Sequence, residues 1–354
     1  MDNTLIKICY FPGRESTYAR TKVLLKAMRV VGIEVMDCST SRKSRFRYLI
    51  GFLKFLKYKS RSDIVFIGFF GHFLIPLVKL LTRKKILFDS FVSIHLTMVV
   101  DRKEIKPNTF LESLTNYFDW LACRLADSVF AGTNQEIEYL TRKGNLNKNK
   151  FHRLFVGADD SFLYPQTNPN DAEFIVHFHG EFQTLHGTPY IVEAARLLPD
   201  IKFQMIGKGR DWNHCLQKAA QENIKNIQFI PPVPYKELPK YIAKAHVCLG
   251  LFGDTVKTQT VIPHKVYEAM AMGKPIITAD TPAIKELLTH LKDVYLCQAA
   301  DPSSLADAIK TLKENAALRK KIAENAYQTF LRYCSPEVLG KEILKQAKEL
   351  INTA

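Results

Sequence analysis

TVIPHKVYEAMAMGKPIITADTPAIKE, residues 260–286, reads as a loop, a short helix, a strand and the start of a second helix. Pro263 suits a first helical turn, because the amide it lacks would have no helical partner there. His264 to Met272 follow without a breaker, and Gly273 can end the helix in the left-handed region. Residues 275–278 (PIIT) then form a short β-branched run that reads as a buried strand. The helix start carries unpaired amides and a positive dipole, which suit a phosphate. Glu268 lies mid-helix beside Ala269, Met270 and Ala271, either as a surface carboxylate on a core helix or as a placed functional group.

Outward from this stretch the same alternation fills the chain. In the first half, residues 5–11, 33–39, 63–68, 85–90, 127–132 and 151–156 read as strands. Helices are expected over 17–31 with Ser16 as cap, about 73–82, 109–124, and after the capping box TNQE at 133–136. In the second half, 174–179, 201–206, 227–230, 247–251 and 294–297 read as strands, with helices over 188–198 and 236–243. GEFQTLHG at 180–187 is a loop with glycine at both ends, and Gly207-Lys208-Gly209 reads as a turn. YPQTNPND at 164–171 reads as a linker, and the chain is helical from Asp301, with Pro336 opening a final helix to about residue 350. Alternating strand and helix predicts doubly wound α/β domains, and 354 residues are long for one core.

The formal charge of +15 is uneven: residues 1–160 hold 27 Lys+Arg against 15 Asp+Glu, and residues 161–354 hold 23 against 20. Such asymmetry points to an anionic partner for the first half. The seven cysteines are scattered without a CxxC or Cys/His metal spacing, so reduced cytosolic thiols and no metal are expected. The start, MDNTLIKICYF, lacks the basic and apolar regions of a signal peptide, and no apolar run reaches the ~18–20 residues of a membrane span.

Residues 42–61 concentrate the charge, with Arg42, Lys43, Arg45, Arg47, Lys54, Lys57, Lys59 and Arg61 and no acid between them. Leu49, Phe52, Leu53 and Leu56 share one helical face. Two readings stand: a basic amphipathic helix lying in a membrane interface, or a core helix whose lysine stems cover the domain surface. Nucleic acid ranks below both, since no recognition motif accompanies the charge. Asp89 ends the fourth strand, and ligands of open α/β sheets bind at that end. His95 and Asp101 beyond it, and Gly13 and Arg14 at the first strand-to-helix turn, are further candidates.

The second half resembles the retaining glycosyltransferases of family 4, group 1 glycosyltransferases with the GT-B fold. The matching stretches are ADSVF at 126–130, FVGAD at 155–159, Gly180 and Gly187, IGKG at 206–209, residues 235–245, and above all EAMAMGKP at 268–275 running on to Glu286. The resemblance covers most of the C-terminal half and the N-terminal half loosely. It implies two Rossmann-like domains facing across a cleft, with C-terminal helices crossing back to the first. The expected domains are 1–166 for the acceptor, 172–335 for the nucleotide-sugar donor, and 336–354 packing on the first.

The family carries two glutamates eight positions apart, and the second, a ribose ligand, falls on Glu268; the first falls on Thr260. Its Arg or Lys after the first glycine falls on Glu181, and its Lys before the second on His186. The resemblance therefore leaves the diphosphate to be held by His186, Lys208, Arg210, Lys265 and the amides of Val261 and Ile262, with Lys265 first among them. Thr260, Lys265 and His95 are the implied catalytic positions. Glu268, Gly180, Gly207 and Gly209 complete the donor side, and Gly13, Arg14 and Asp89 the acceptor side. The implied reaction moves a hexose, with retention, to a lipid-linked or saccharide acceptor at the cytoplasmic membrane face, in bacterial surface polysaccharide or lipopolysaccharide assembly. It needs no cofactor beyond the nucleotide sugar as co-substrate. A nucleotide-sugar epimerase of the same fold and a non-catalytic nucleotide-binding protein are the alternatives.

Overall fold

The computed structural model describes residues 5–41, 46–142, 144–166 and 173–353. Arg42, Lys43 and Arg45 of the basic segment, and residues 167–171 of the expected linker, lie outside the described residues. The chain divides into two units: residues 1–99, 103–159 and 333–354 form the first, and 100–102 with 160–332 the second. The division thus falls at Asp159–Asp160, before the Pro/Asn-rich stretch, and the tripeptide 100–102 belongs to the second unit.

The first unit holds β1 (Lys7–Pro12), β2 (Glu34–Asp37), β3 (Ile64–Gly68), β4 (Ile86–Asp89), β5 (Ser128–Ala131) and β6 (Phe151–Arg153), all parallel in the order β2-β1-β3-β4-β5-β6. β3, β4 and β5 are buried along their whole length, which is why they read as continuous apolar runs. The helix Ala19–Val30 starts after Tyr18, not after Ser16, whose amide donates to the Thr40 carbonyl instead. The capping box does form: Thr133 Oγ1 accepts from the Glu136 amide, and Glu136 Oε2 accepts from the Gly132 amide. The sixth strand stops at Arg153 because the carbonyls of Phe155 and Val156 accept from Arg20 Nη1, at 2.9 and 3.0 Å. The helix Pro336–Asn352 belongs to this unit and packs on Ala19–Val30 at Gly340, where a Cβ would fall 2.1 Å from the Ala27 carbonyl oxygen.

The second unit holds β7 (Ile175–Glu181), β8 (Lys202–Lys208), β9 (Ile227–Ile230), β10 (Val247–Leu249), β11 (Ile276–Ala279) and β12 (Tyr295–Cys297), in the order β12-β11-β10-β7-β8-β9. All pairings are parallel, and the order reverses between β7 and β10. The expected turn after Ile206 is strand instead, with Gly180 opposite Gly207 and Glu181 opposite Lys208. Glycine makes this possible: a Cβ on Gly207 would lie 1.9 Å from the Gly180 carbonyl oxygen. The helix of the opening stretch spans His264–Ala271, with Pro263 as its extended N-cap and Gly273 left-handed at φ +60°. Helix Val256–Thr260 and the π-helical turn Leu96–Asp101 have no counterpart in the sequence reading.

Candidate active site

The strand order of the second unit reverses between β7 and β10, and ligands of such sheets bind at the C-terminal ends of the strands beside that point; the ends of β7 and β8 lie next to it. A cavity of about 270 Å³ lies there, lined by His179, Gly180, Glu181, Gly207, Lys208 and Tyr235 among others. Glu268 reaches this place from the middle of helix His264–Ala271 and is only 3% exposed. Its Oε2 accepts from His179 Nε2 and its Oε1 from the Tyr235 hydroxyl, both at 2.7 Å. The chain continues inward, with His179 Nδ1 3.0 Å from His177 Nε2 and His177 Nδ1 2.9 Å from Gln204 Oε1. Burial alone would push the Glu268 carboxyl up. The hydrogen bond and charge of His179, with His264 and the Tyr235 hydroxyl, outweigh it and bring the carboxyl down to about 2. Burial, reinforced by His179, holds His177 well below the usual imidazole range.

Lys265, one turn from Glu268, is 5% exposed. Its Nζ lies 2.9 Å from His186 Nδ1 and 3.8 Å from the centre of the Phe178 ring. A Cβ on Gly180 would stand 3.0 Å from that Nζ, so the glycine leaves the amine room against the backbone. Burial holds Lys265 well below the usual lysine range, against the pull of Glu268 and Glu181. It holds His186 well below the imidazole range too, with Lys265, Lys257 and His179 adding to the effect. An anion beside Lys265 and His186 would favour their charged forms.

The other expected donor-side residues divide. Thr260 Oγ1 donates back to the Lys257 carbonyl at 3.1 Å and closes its own helix, with Val261 as the extended C-cap and Ile262 buried after it. Gly209 serves the chain path, since a Cβ there would fall 2.6 Å from the Phe182 amide nitrogen. Arg210 Nη1 donates to Thr184 Oγ1 at 3.1 Å, and Lys208 is exposed at the end of β8. Asp101 reaches the same loop from far along the chain: Oδ1 accepts from the Leu185 amide, Oδ2 from Lys257 Nζ, and its carbonyl from Thr184 Oγ1, each at 3.0 Å.

In the first unit, Asp89 is not presented to a ligand. Its carboxylate is buried and takes both Arg20 Nη2 (2.8 Å) and Nε (3.1 Å), so it fixes the sheet end as an internal ion pair. His95 is held from both sides, with Nδ1 2.8 Å from the Tyr139 hydroxyl and Nε2 3.0 Å from Glu112 Oε1. Gly13 donates its amide to the Phe69 carbonyl, and Arg14 lies against Glu15 and over the Tyr18 ring. The helix Phe46–Tyr58 buries Gly51 and Phe55 and leaves Phe46, Leu49, Leu53 and Leu56 exposed at 65, 55, 58 and 37% along one stripe. Of its cations, Lys54 donates to the Ser39 carbonyl and Lys59, just beyond, to that of Leu81. No helix among the described residues is long and apolar enough to cross a membrane.

His177, His179, Gln204 and Tyr235 were missed by sequence reasoning. The usable signal was HFHG at 177–180: two histidines two apart on an apolar strand, hence on one face, ending at the glycine of the switch point.

Residues 159–329 match the family described as glycosyl transferases group 1. D-inositol 3-phosphate glycosyltransferase of Nocardioides sp. is 23% identical over 233 residues, 57% of this chain and 49% of that protein, so the chain spans about half the length of this relative. Among solved structures, sucrose-phosphate synthase of Thermosynechococcus elongatus superposes with a TM-score of 0.77 at 14% identity, covering 99% of this chain and all of that one. The Anabaena protein HepE, in complex with UDP and glucose, gives 0.74 at 14% identity over 97% of this chain and all of that one. At such identity the structures establish the fold: two parallel-sheet Rossmann-like units of the GT-B type.

Proposed function

We propose that this chain, whose residues 159–329 match the group 1 glycosyl transferases, transfers a hexose, with retention, from a nucleoside-diphosphate sugar to a hydroxyl acceptor. The observation that carries this reading is the buried anionic carboxylate of Glu268 at the edge of the cavity by the ends of β7 and β8, with the amine of Lys265 one turn away against Gly180. A carboxylate can accept from two vicinal hydroxyls at once, which suits a ribose. Lys265, with His186 behind it, supplies charge to the diphosphate as the glycosidic bond breaks, in a site where burial strengthens that charge. The departing phosphate takes the acceptor proton on the same face of the sugar. The UDP in the Anabaena neighbour supports this donor class.

The acceptor is lipid-linked or a saccharide, met at the inner face of a cell membrane during surface polysaccharide or lipopolysaccharide assembly. The exposed stripe of Phe46, Leu49, Leu53 and Leu56, beside Lys57 and Arg61, supports a peripheral seat in an anionic interface. A calorimetric panel of UDP, GDP and their sugars, followed by a donor-hydrolysis assay, tests the reading. Tight diphosphate binding with turnover is expected. Binding without turnover under any acceptor would favour a non-catalytic nucleotide-binding protein, and conversion of the donor alone an epimerase.

A further inference from the structure

Glu181 ends β7, lines the cavity, and carries the wrong sign for a site that is to hold phosphate. A guanidinium sits on it: Arg102 Nη2 donates to Glu181 Oε2 at 2.8 Å. Arg102 comes from the tripeptide 100–102, which precedes the matched family segment by more than fifty residues yet belongs to the second unit.

An exposed Arg–Glu pair by itself contributes little. This one stands on an anchored base. Its neighbour Asp101 is 2% exposed and ion-paired to Lys257. Through its other carboxylate oxygen and its carbonyl, Asp101 also grips the Leu185 amide and the Thr184 hydroxyl. The backbone under Arg102 is thereby tied to the 184–186 turn, next to His186 and hence to Lys265. Arg102 keeps 31% of its side chain exposed, and a guanidinium presents its donors in a fixed fork. Lys208 faces Glu181 in register, Arg210 reaches Thr184, and Lys265 stands against Gly180. Glu181 thus stands among basic side chains at the strand ends. An anion with several oxygens fits there, and Glu181 serves to hold the fork of Arg102 in position for it.

Resting on the donor reading above, we infer that Arg102 is a ligand of the donor's diphosphate, with Glu181 as its positioning residue. The two residues together do what a cation at position 181 would do alone.

The test is titration calorimetry of the full chain with UDP and uridine, and with GDP and guanosine. Arg102→Ala should weaken the bound nucleoside diphosphate about tenfold and leave the matching nucleoside unchanged. Adding Glu181→Arg to Arg102→Ala should recover most of that loss, because it puts a cation back at the strand end. Unchanged diphosphate affinity in Arg102→Ala overturns the inference, and so does an equal loss for nucleoside and diphosphate, which would mark a purely structural residue. A wild-type protein that binds neither diphosphate overturns the donor reading and this inference with it.

Discussion

Replacing Glu268 with Gln changes the charge and almost nothing else. The amide is the neutral analogue of the protonated acid, and it can still accept from His179 Nε2 through its oxygen while donating to the Tyr235 hydroxyl oxygen. Its cost to stability is therefore the free energy of ionising Glu268 in the fold. The carboxyl lies at about 2 in the folded protein against 4.5 as its ordinary value. That difference amounts to about 3 kcal/mol at neutral pH. Because the folded value is the depressed one, this stability is present above the unfolded value and lost as pH falls through the folded one. The penalty of Glu268→Gln should shrink from about 3 kcal/mol at pH 7 to about 2 kcal/mol at pH 3.5. Urea unfolding at both pH values reads it directly. In the folded variant at pH 7, UDP affinity should fall about 10- to 100-fold, since an amide oxygen accepts from vicinal hydroxyls less strongly than a carboxylate. Equal stability at pH 7 would refute the anionic assignment, and an unchanged affinity for every nucleoside diphosphate would refute the ribose assignment.

Lys265→Met should reduce a proton uptake that accompanies diphosphate binding. Burial keeps Lys265 and His186 below their ordinary ranges, so an arriving anion favours their charged forms and wild-type affinity should rise as pH falls. Calorimetry in two buffers of different ionisation heat measures that proton, and a wild type that takes up none would be contrary to it. Asp89→Ala should cost about 3–5 kcal/mol in urea unfolding, because it strands the buried Arg20 guanidinium. A loss under 1 kcal/mol, with a raised acceptor KM, would instead restore Asp89 to the acceptor side. Leu49→Ser with Leu53→Ser should weaken partitioning onto anionic vesicles by about 10- to 100-fold, given the apolar area each exposed leucine offers. Unaltered vesicle binding would count against docking through this helix.

The strands, though not their order, were legible because parallel strands covered on both faces are apolar runs, as β3 and β11 are. The limits that went astray are where a side chain, not periodicity, decides. Arg20 withdraws Phe155 and Val156 from β6, and the paired glycines 180 and 207 let β8 run past the turn expected there. The site was legible in helix His264–Ala271, where Glu268 and Lys265 lie together in one short motif, and in Gly180, His186, Gly207 and Lys208 around it.

The partners of that helix arrive from β7, from residue 186 and from residue 235, so no spacing in the sequence relates them. Their chemistry still follows from the motif. A carboxylate with both oxygens buried needs a donor for each, and a chain that buries Glu268 must supply them. His179 and Tyr235 meet that need. They stand where hydroxyl groups of a ligand would have to bind. Tyr235 is the one whose bond can be given up cheaply, because it is half-buried and its hydroxyl can turn to water, whereas His179 is locked to His177 and Gln204. On the proposed donor reading, a ribose entering the cavity would displace Tyr235 and keep His179, which would leave Glu268 oriented throughout.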